Sequence, residues 1–435
     1  MPAFRKPTSA TFLACCLALT LWRSLYGLSQ NFWHEDVVQI YLLGLKYFTT
    51  SLWPFFGPDI VHTNQQIPGA LQALLIGIPL KVIPQPEAPF VLVNLLSIAG
   101  IILLAWYLSR RFAGYRFLLL VFWLATLPST LQFSTNTYNP SYLLFPSCVF
   151  FVAWYESQSR FRTLNLNATL IGAMIGFAVM FTFQLHMSWP LFFPFVVTGL
   201  FLPDPSLGRR PLILGFIAGA ATSSLCLIPT ILTFGLESLW TAGASNTAVH
   251  FEQLREAPTI LTRYLSLGSY EFFGFNLSAS LSDRRAFIMA QPLLFLCAAV
   301  MLAGLFWQVY LTLAMMVSYA RSRTARYSEY TLFIVVFCWI VTLFLLTPRP
   351  PAVRNFYLLF PVVVLAVLRM FQNVGRDILV GRILITLVAS SLLFHTLVGA
   401  ALFPQISLYK DRRRISGAIE SGDYRILGER RPGQY

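Results

Sequence analysis

The residues offering the most chemistry are Glu35 and Asp36, adjacent carboxylates at the head of the stretch "EDVVQIYLLGLKYF" (35–48). A carboxylate pair can take a proton from a nucleophile, hold a divalent cation or orient hydroxyl groups. It can also do something plainer, because a carboxylate at a helix start satisfies unpaired N–H groups and meets the helix dipole favourably. One acidic residue suffices for a cap, and a second charge beside an apolar helix is costly to desolvate. The pair therefore asks for a polar ligand, a proton or a metal in addition to capping.

Further candidates for ligand contact are spread along the chain. His62, Asn64 and Gln66 follow in the same polar stretch, and Lys81 ends "QQIPGALQALLIGIPLK" (65–81). Asn136, Tyr138 and Asn139 in "FSTNTYNPSYLLFP" (133–146) can bond sugar hydroxyls, although Asn139-Pro140 serves equally to start the next helix. His186 in "QLHMS" (184–188) is either a ligand contact or a satisfied interfacial histidine. Arg349 and Arg354 in "TPRPPAVRNFY" (347–357) can grip phosphate oxygens in pairs or anchor a helix end at lipid headgroups. Lys81 has the same two readings.

The composition says what kind of elements must bring these residues together. The 435 residues are 57% hydrophobic and 15% aromatic with only 11% charged, and the mean hydropathy is +0.66. Those values exclude an ordinary soluble globule and predict an all-α integral membrane protein. The net charge of +14 is carried in ones to threes between apolar runs, the pattern of anionic headgroups and orientation signals rather than of nucleic-acid binding.

Apolar stretches near 10–28, 88–108, 117–133, 142–156, 166–185, 189–202, 212–233, 288–316, 331–346, 356–371 and 383–402 make about eleven spans. The segment 65–84 is short and carries Pro68, Pro79 and Pro84, which suits an interfacial or re-entrant helix. With that segment not crossing, Arg5/Lys6, Arg110/Arg111/Arg116, Arg160/Arg162, Arg209/Arg210, Arg321/Arg323/Arg326 and Arg376/Arg382 fall on one side, the cytoplasm. The N-terminus is then cytoplasmic and the first span an uncleaved one.

Outside lie residues 29–87, 134–141, the long loop 234–287, two short turns and a polar, basic tail, 403–435. Thirteen of the seventeen acidic residues and four of the five histidines fall there, which points to a site on the outer face. In 37–50 only Gln39 and Lys46 break an apolar run, as in an amphipathic helix lying in the headgroup plane. The loop 234–287 reads as short amphipathic helices over the site. The six cysteines fall inside apolar runs as small core residues, and the whole of 1–402 reads as one membrane domain.

The order of an acidic pair after the first span, an amphipathic helix, "IPGALQALL" (67–75), "YLSRRFAG" (107–114), "FSTNTYNPSYLLFP", "QLHMS" and "RNFYLLFP" (354–361) resembles the GT-C superfamily of lipid-phosphate-sugar-dependent glycosyltransferases. Its nearest flavour is the family of the lipid A aminoarabinose transferase and the protein O-mannosyltransferases, resembling glycosyltransferase family 39. The resemblance covers roughly residues 10–200 and 345–402.

It implies a sugar moved from a polyprenyl-phosphate donor to a lipid, glycan or protein acceptor on the periplasmic face of a bacterial inner membrane. It also implies an acidic residue of the first outer loop as catalytic base, which maps onto Asp36 or Glu35, with Asp36 favoured because it adjoins the helix start. A carboxylate there is a weak base, tolerable if the transition state is oxocarbenium-like and the proton leaves late.

Two departures matter. The family writes its pair Asp-Glu, and the acidic metal ligand of the aminoarabinose branch is replaced by Asn64, Gln65 and Gln66, so no cofactor is certain and a divalent metal rests on Asp59 and His62 as substitutes. A polysaccharide ligase or polymerase would instead depend on His250 and Arg255 of the long loop. A secondary transporter would want ionisable residues inside spans, where only Arg23 and His395 fall.

Overall fold

The computed structural model describes residues 9–30, 35–60, 66–112, 114–239, 249–272, 288–321, 328–347, 351–374, 377–402 and 407–427; at 30, 35–36, 377–378, 402, 407–411 and 426–427 only the backbone is described. The described chain is helical but for one two-stranded antiparallel sheet. Six helices are long and apolar enough to cross a membrane, which makes this a membrane protein in character. They are Ser9–Ser29, Ala88–Arg111, Arg209–Phe234, Pro292–Arg321, Val353–Asn373 and Leu379–Ala401.

The remaining predicted spans also hold helix, but in shorter pieces with identifiable breaks. The stretch 117–133 is divided into α5 (Phe117–Thr126) and α6 (Pro128–Phe133), because Pro128 removes an N–H and holds Leu127 extended. Asn139–Leu143 is a 3-10 turn that leads into α7 (Leu144–Ser157). Then come α8 (Ala168–Phe183), α9 (Phe193–Phe201), α10 (Arg209–Ser223) and α11 (Ile228–Phe234). Helices α8 and α10 run parallel, with Gly172 and Gly176 of one against the carbonyls of Leu212 and Phe216 of the other, so small residues let two backbones touch.

The innermost element is α15 (Phe360–Asn373). The span it belongs to has 78% of its apolar window buried, against 28% for α10–α11 and for α13 (Pro292–Arg321), which face outward. Apolar from Phe360 to Leu368, α15 sits among α7, α13 and α14 (Ser328–Phe344), and the buried side chains form one continuous core.

Arg23 of α1 (Ser9–Gln30) is fully buried, and its guanidinium donates to the carbonyls of Ala125 (2.6 Å), Thr130 (3.0 Å) and Ser134 (3.3 Å). These are carbonyls at the ends of α5 and α6, where the helix dipole is negative, so a cation is held without a carboxylate. His395 of α16 (Asp377–Leu402) bonds the Ser391 carbonyl one turn earlier at 2.8 Å, with its ring edge-on to Tyr26. Both residues inside predicted spans are thus packed into the helix framework.

The ends of the bundle differ in chemistry. At one end Glu329 of α14 accepts from Arg111 of α4 (Ala88–Arg111) at 2.6 Å and from Arg369 of α15 at 2.8 Å. Arg111 reaches on to the carbonyls of Arg160 and Phe161, and Arg162 lies 3.7 Å from Asp204. Burial alone would raise the Glu329 carboxyl, but the Arg369 hydrogen bond and the charges of Arg111 and Arg369 outweigh it and hold it below the usual range. Arginines predicted to share one side of the membrane therefore meet at one end of the fold. The opposite end gathers the first loop, the 134–143 turn, the 184–190 turn and the 351–359 segment.

Candidate functional site

The site begins with α2 (Glu35–Thr50), whose first two residues are Glu35 and Asp36. The two carboxylate positions thus stand in the first turn, where unpaired N–H groups and the positive end of the dipole lie. The apolar face of α2 (Val37, Ile40, Tyr41 and Leu45) is fully buried, and it packs on α3 (Leu71–Val82). The helix expected to rest its apolar side on lipid rests it on protein.

The two helices run parallel, Gly44 beside Ile76 and Tyr47 beside Gly77 and Lys81. A Cβ at Gly44 would come within 2.2 Å of the Ile76 side chain, so only glycine allows this approach. Parallel neighbours need a return connection, which the sheet supplies: β1 (Phe56–Asp59) pairs with β2 (Gln66–Pro68), Asp59 opposite Gln66.

Asp59 is the focus of this connection. Its Oδ2 accepts from Nε2 of Gln39 at 2.7 Å and its Oδ1 from Nε2 of Gln66 at 3.0 Å. Gln39 lies one turn beyond Glu35 and Asp36, so Asp59 is tied to the acidic end of α2. Among the described residues no cation lies within ion-pair distance of Asp59.

After β2 the chain turns at Gly69, whose φ of +94° is left-handed; a Cβ there would meet Leu227 at 2.6 Å and Oε1 of Gln184 at 2.9 Å. Gln184 is itself pinned, donating to the carbonyls of Met180 (3.0 Å) and Ser223 (2.8 Å). One turn into α3, buried Gln72 donates to Oδ1 of Asn139 at 2.6 Å. Asn139 also opens the 3-10 turn before α7 with Pro140 behind it, as the helix-start reading expects. Asn136 accepts from the neighbouring Thr137 N–H at 2.9 Å, and Tyr138 is buried.

His186 is half-buried. Its Nδ1 accepts from the Ser188 N–H at 3.1 Å and pairs with the Ser188 hydroxyl at 2.7 Å, which leaves the proton of the neutral ring on Nε2. Burial first, and then the nearby charge of Arg354, lower its pKa to about 4, so the ring is neutral at physiological pH. Arg354 lies in the 3-10 turn Val353–Leu359 and is exposed. That segment is fixed from the long loop, where Arg263 of α12 (Ala257–Ser266) donates to the Pro351 carbonyl at 2.5 Å.

Of the predicted contacts, then, Gln66, Asn139, His186 and Arg354 fall at this end of the bundle, Gln66 bonded to the Asp59 carboxylate and Asn139 to the Gln72 amide. Lys81 does not join them: it bonds the Ser51 hydroxyl at 3.1 Å over the Tyr47 ring, about 14 Å along α3 from Gln72. His62, Asn64 and Arg349 lie outside the described residues, as do the side chains of Glu35 and Asp36.

Sequence reasoning passed over Gln72 and Ser223. The legible signal was an amide in the first turn of an otherwise apolar helix, a costly placement unless it is bonded. Among the described residues no group of three or more His, Cys, Asp or Glu could hold a metal. No family model matches the chain, and no curated protein and no solved structure is significantly similar to it.

Proposed function

We propose that the protein is a membrane glycosyltransferase of the GT-C type, with about eleven spans, that moves a sugar from a polyprenyl-phosphate donor to an acceptor at the outer face of a bacterial inner membrane. On this reading the N-terminus is cytoplasmic and the tail lies outside. The observation that carries it is the meeting, at the end opposite the arginine cluster, of the first-loop, 133–146, 184–188 and 354–361 stretches of the resemblance; the remaining one, 107–114, ends in the arginine cluster. The acidic start of α2 is bonded through Gln39 to β1, Gln72 links α3 to the 133–146 stretch, and the charge of Arg354 bears on His186.

In this mechanism the acceptor hydroxyl attacks the anomeric carbon and the bond from that carbon to the phosphate oxygen breaks. The electron pair leaves with polyprenyl phosphate, and the acceptor proton passes to a carboxylate, with Asp36 preferred to Glu35. Exposed Arg354 meets the leaving phosphate charge. Neutral amides and hydroxyls, Gln72 and Asn139 among them, suit an uncharged sugar ring.

The test is reconstitution with a panel of polyprenyl-phosphate sugars, following release of the lipid phosphate. Asp36→Asn is expected to lower turnover by about 10²- to 10⁴-fold with unchanged thermal stability, the usual share of a general base. Unchanged turnover would remove this carboxylate from the chemistry, and no donor-dependent release by the unmodified protein would remove the reading.

A further inference from the structure

The polar tail is not a loose appendage. Its helix α17 (Ser407–Ser421) turns Ile415, Ala418 and Ile419 inward, all buried, while Arg413 and Arg414 are exposed. From the same helix Arg412 grips the segment that enters α4: its Nε lies 2.5 Å from Oε1 of Glu87, and its Nη2 lies 3.3 Å from both Oε2 of Glu87 and Oε1 of Gln85. Between those two residues, the Pro86 carbonyl accepts at 2.9 Å from the hydroxyl of Tyr41, a fully buried residue of α2. Past α17 the chain comes back to α2 directly, with Lys46 over the Tyr424 ring at 5.8 Å from its centre.

From this geometry we infer that the C-terminal helix is a strap that sets the position of α2, with Arg412 as a positioning residue acting through Glu87, Pro86 and Tyr41. The strap holds α2 at two points, Tyr41 and Lys46, both further along the helix than the first turn with Glu35 and Asp36. Tyr41 lies about 8 Å along the helix from those carboxylates, so a small tilt at the hold carries straight to them. A misplacement of about 1 Å at a catalytic group is enough to cost on the order of 10²-fold in rate. The kinetic consequence rests on the proposed transferase reading; the mechanical one does not.

The experiment uses the full chain in nanodiscs, with Arg412→Glu, Glu87→Arg, the charge-swapped double variant and the milder Arg412→Gln. Hydrogen exchange of the α2 amides is expected to quicken about two- to five-fold in each single variant, the scale of a half-exposed ion pair, and to return towards the original rate in the double variant. Amides of α15 should not change, which separates loss of the strap from general unfolding.

If α2 exchange is the same in all single variants, or if the swap does not restore it, the strap is wrong whatever the catalytic result. If exchange behaves as expected, the single variants should lose turnover with little change in donor affinity and the swap should recover it. An unmodified protein that transfers no sugar overturns the transferase reading and leaves the exchange result standing.

Discussion

Asp59→Asn separates a structural carboxylate from a chemical one. Asp59 receives two amide N–H donors, from Gln39 and Gln66, and a carboxylate bonded in this way gains about 1.5–3 kcal/mol per bond. Asparagine keeps one acceptor oxygen, so one bond survives, and its new amide nitrogen faces a second donor. Gln39 or Gln66 can turn its own amide to present oxygen, which limits the damage. The net loss is then about one charge-assisted bond, about 1.5–3 kcal/mol, reduced towards the lower figure because Asp59 is half-buried.

The loss should be local. Asp59 and Gln66 face each other in a sheet of only two short strands, whose independent stability is marginal, so the strands open before the bundle does. Hydrogen exchange of Phe56–Asp59 should quicken by about 10-fold with little movement of the global melting temperature. Turnover should fall less than in Asp36→Asn. Unchanged exchange together with abolished transfer would refute this reasoning, since Asp59 would then act on the substrate or a metal rather than on Gln39 and Gln66.

Arg23→Met removes the guanidinium from the carbonyls of Ala125, Thr130 and Ser134; Thr130 keeps the N–H and hydroxyl of Ser134, and Ser134 keeps the hydroxyl of Ser97, so the loss falls mainly on Ala125 and the expected destabilisation is about 1–3 kcal/mol. Denaturation in mixed detergent measures it, and a change below about 1 kcal/mol would show that those carbonyls do not need the guanidinium. Glu329 has its folded pKa held below its ordinary 4.5, so the stability it contributes is present above that value and is lost as the pH falls through the lower, folded one. Glu329→Gln should remove that acid dependence and cost about 3 kcal/mol at neutral pH by leaving Arg111 and Arg369 without their shared carboxylate; equal acid sensitivity of the two proteins would contradict the assignment.

What could be read from the sequence follows from what lipid forbids. Apolar length located the helices because every backbone group must be bonded within its own segment, and arginine position grouped the loops because cations are retained on one side. The meeting of Arg111, Arg160, Arg162 and Arg369 at one end follows the same logic. Packing inside the first loop was not legible. The parallel run of α2 and α3 depends on a side chain absent at Gly44, and the return strand depends on Asp59 finding amides seven and twenty residues away. Pattern reading gave α2 an apolar face and laid it on lipid, whereas α3 covers it, because amphipathicity does not name the covering partner. Lys81 reads from the sequence as a phosphate-binding cation at the end of a re-entrant segment, but helix rise carries it to the far end of α3 from Gln72, where it bonds Ser51.

Asp59 is held differently from the other carboxylates described above, and that difference bears on the chemistry. At the arginine end each described carboxylate is neutralised or saturated: Glu329 by two guanidiniums, Asp204 by Arg162 and the Ser206 N–H, and Glu156 by the N–H groups of Thr163, Leu164 and Leu166. At the opposite end Glu87 is likewise paired with Arg412, but Asp59 is met by Gln39 and Gln66, which carry dipoles and no net charge. An amide fixes a carboxylate in place without cancelling its field at longer range. The fold therefore keeps a negative charge beside the start of α2, tied by Gln39 to the turn that carries Glu35 and Asp36. On the proposed transferase reading, such a field would stabilise positive charge developing on a sugar ring and disfavour a phosphate lingering beside it. On the same proposed reading the cation for the departing phosphate is Arg354, which stands on a different segment, beside the neutral His186. Opposite charges held on separate elements are what heterolysis of a glycosyl phosphate requires, since one side must favour the cation that forms and the other the anion that leaves.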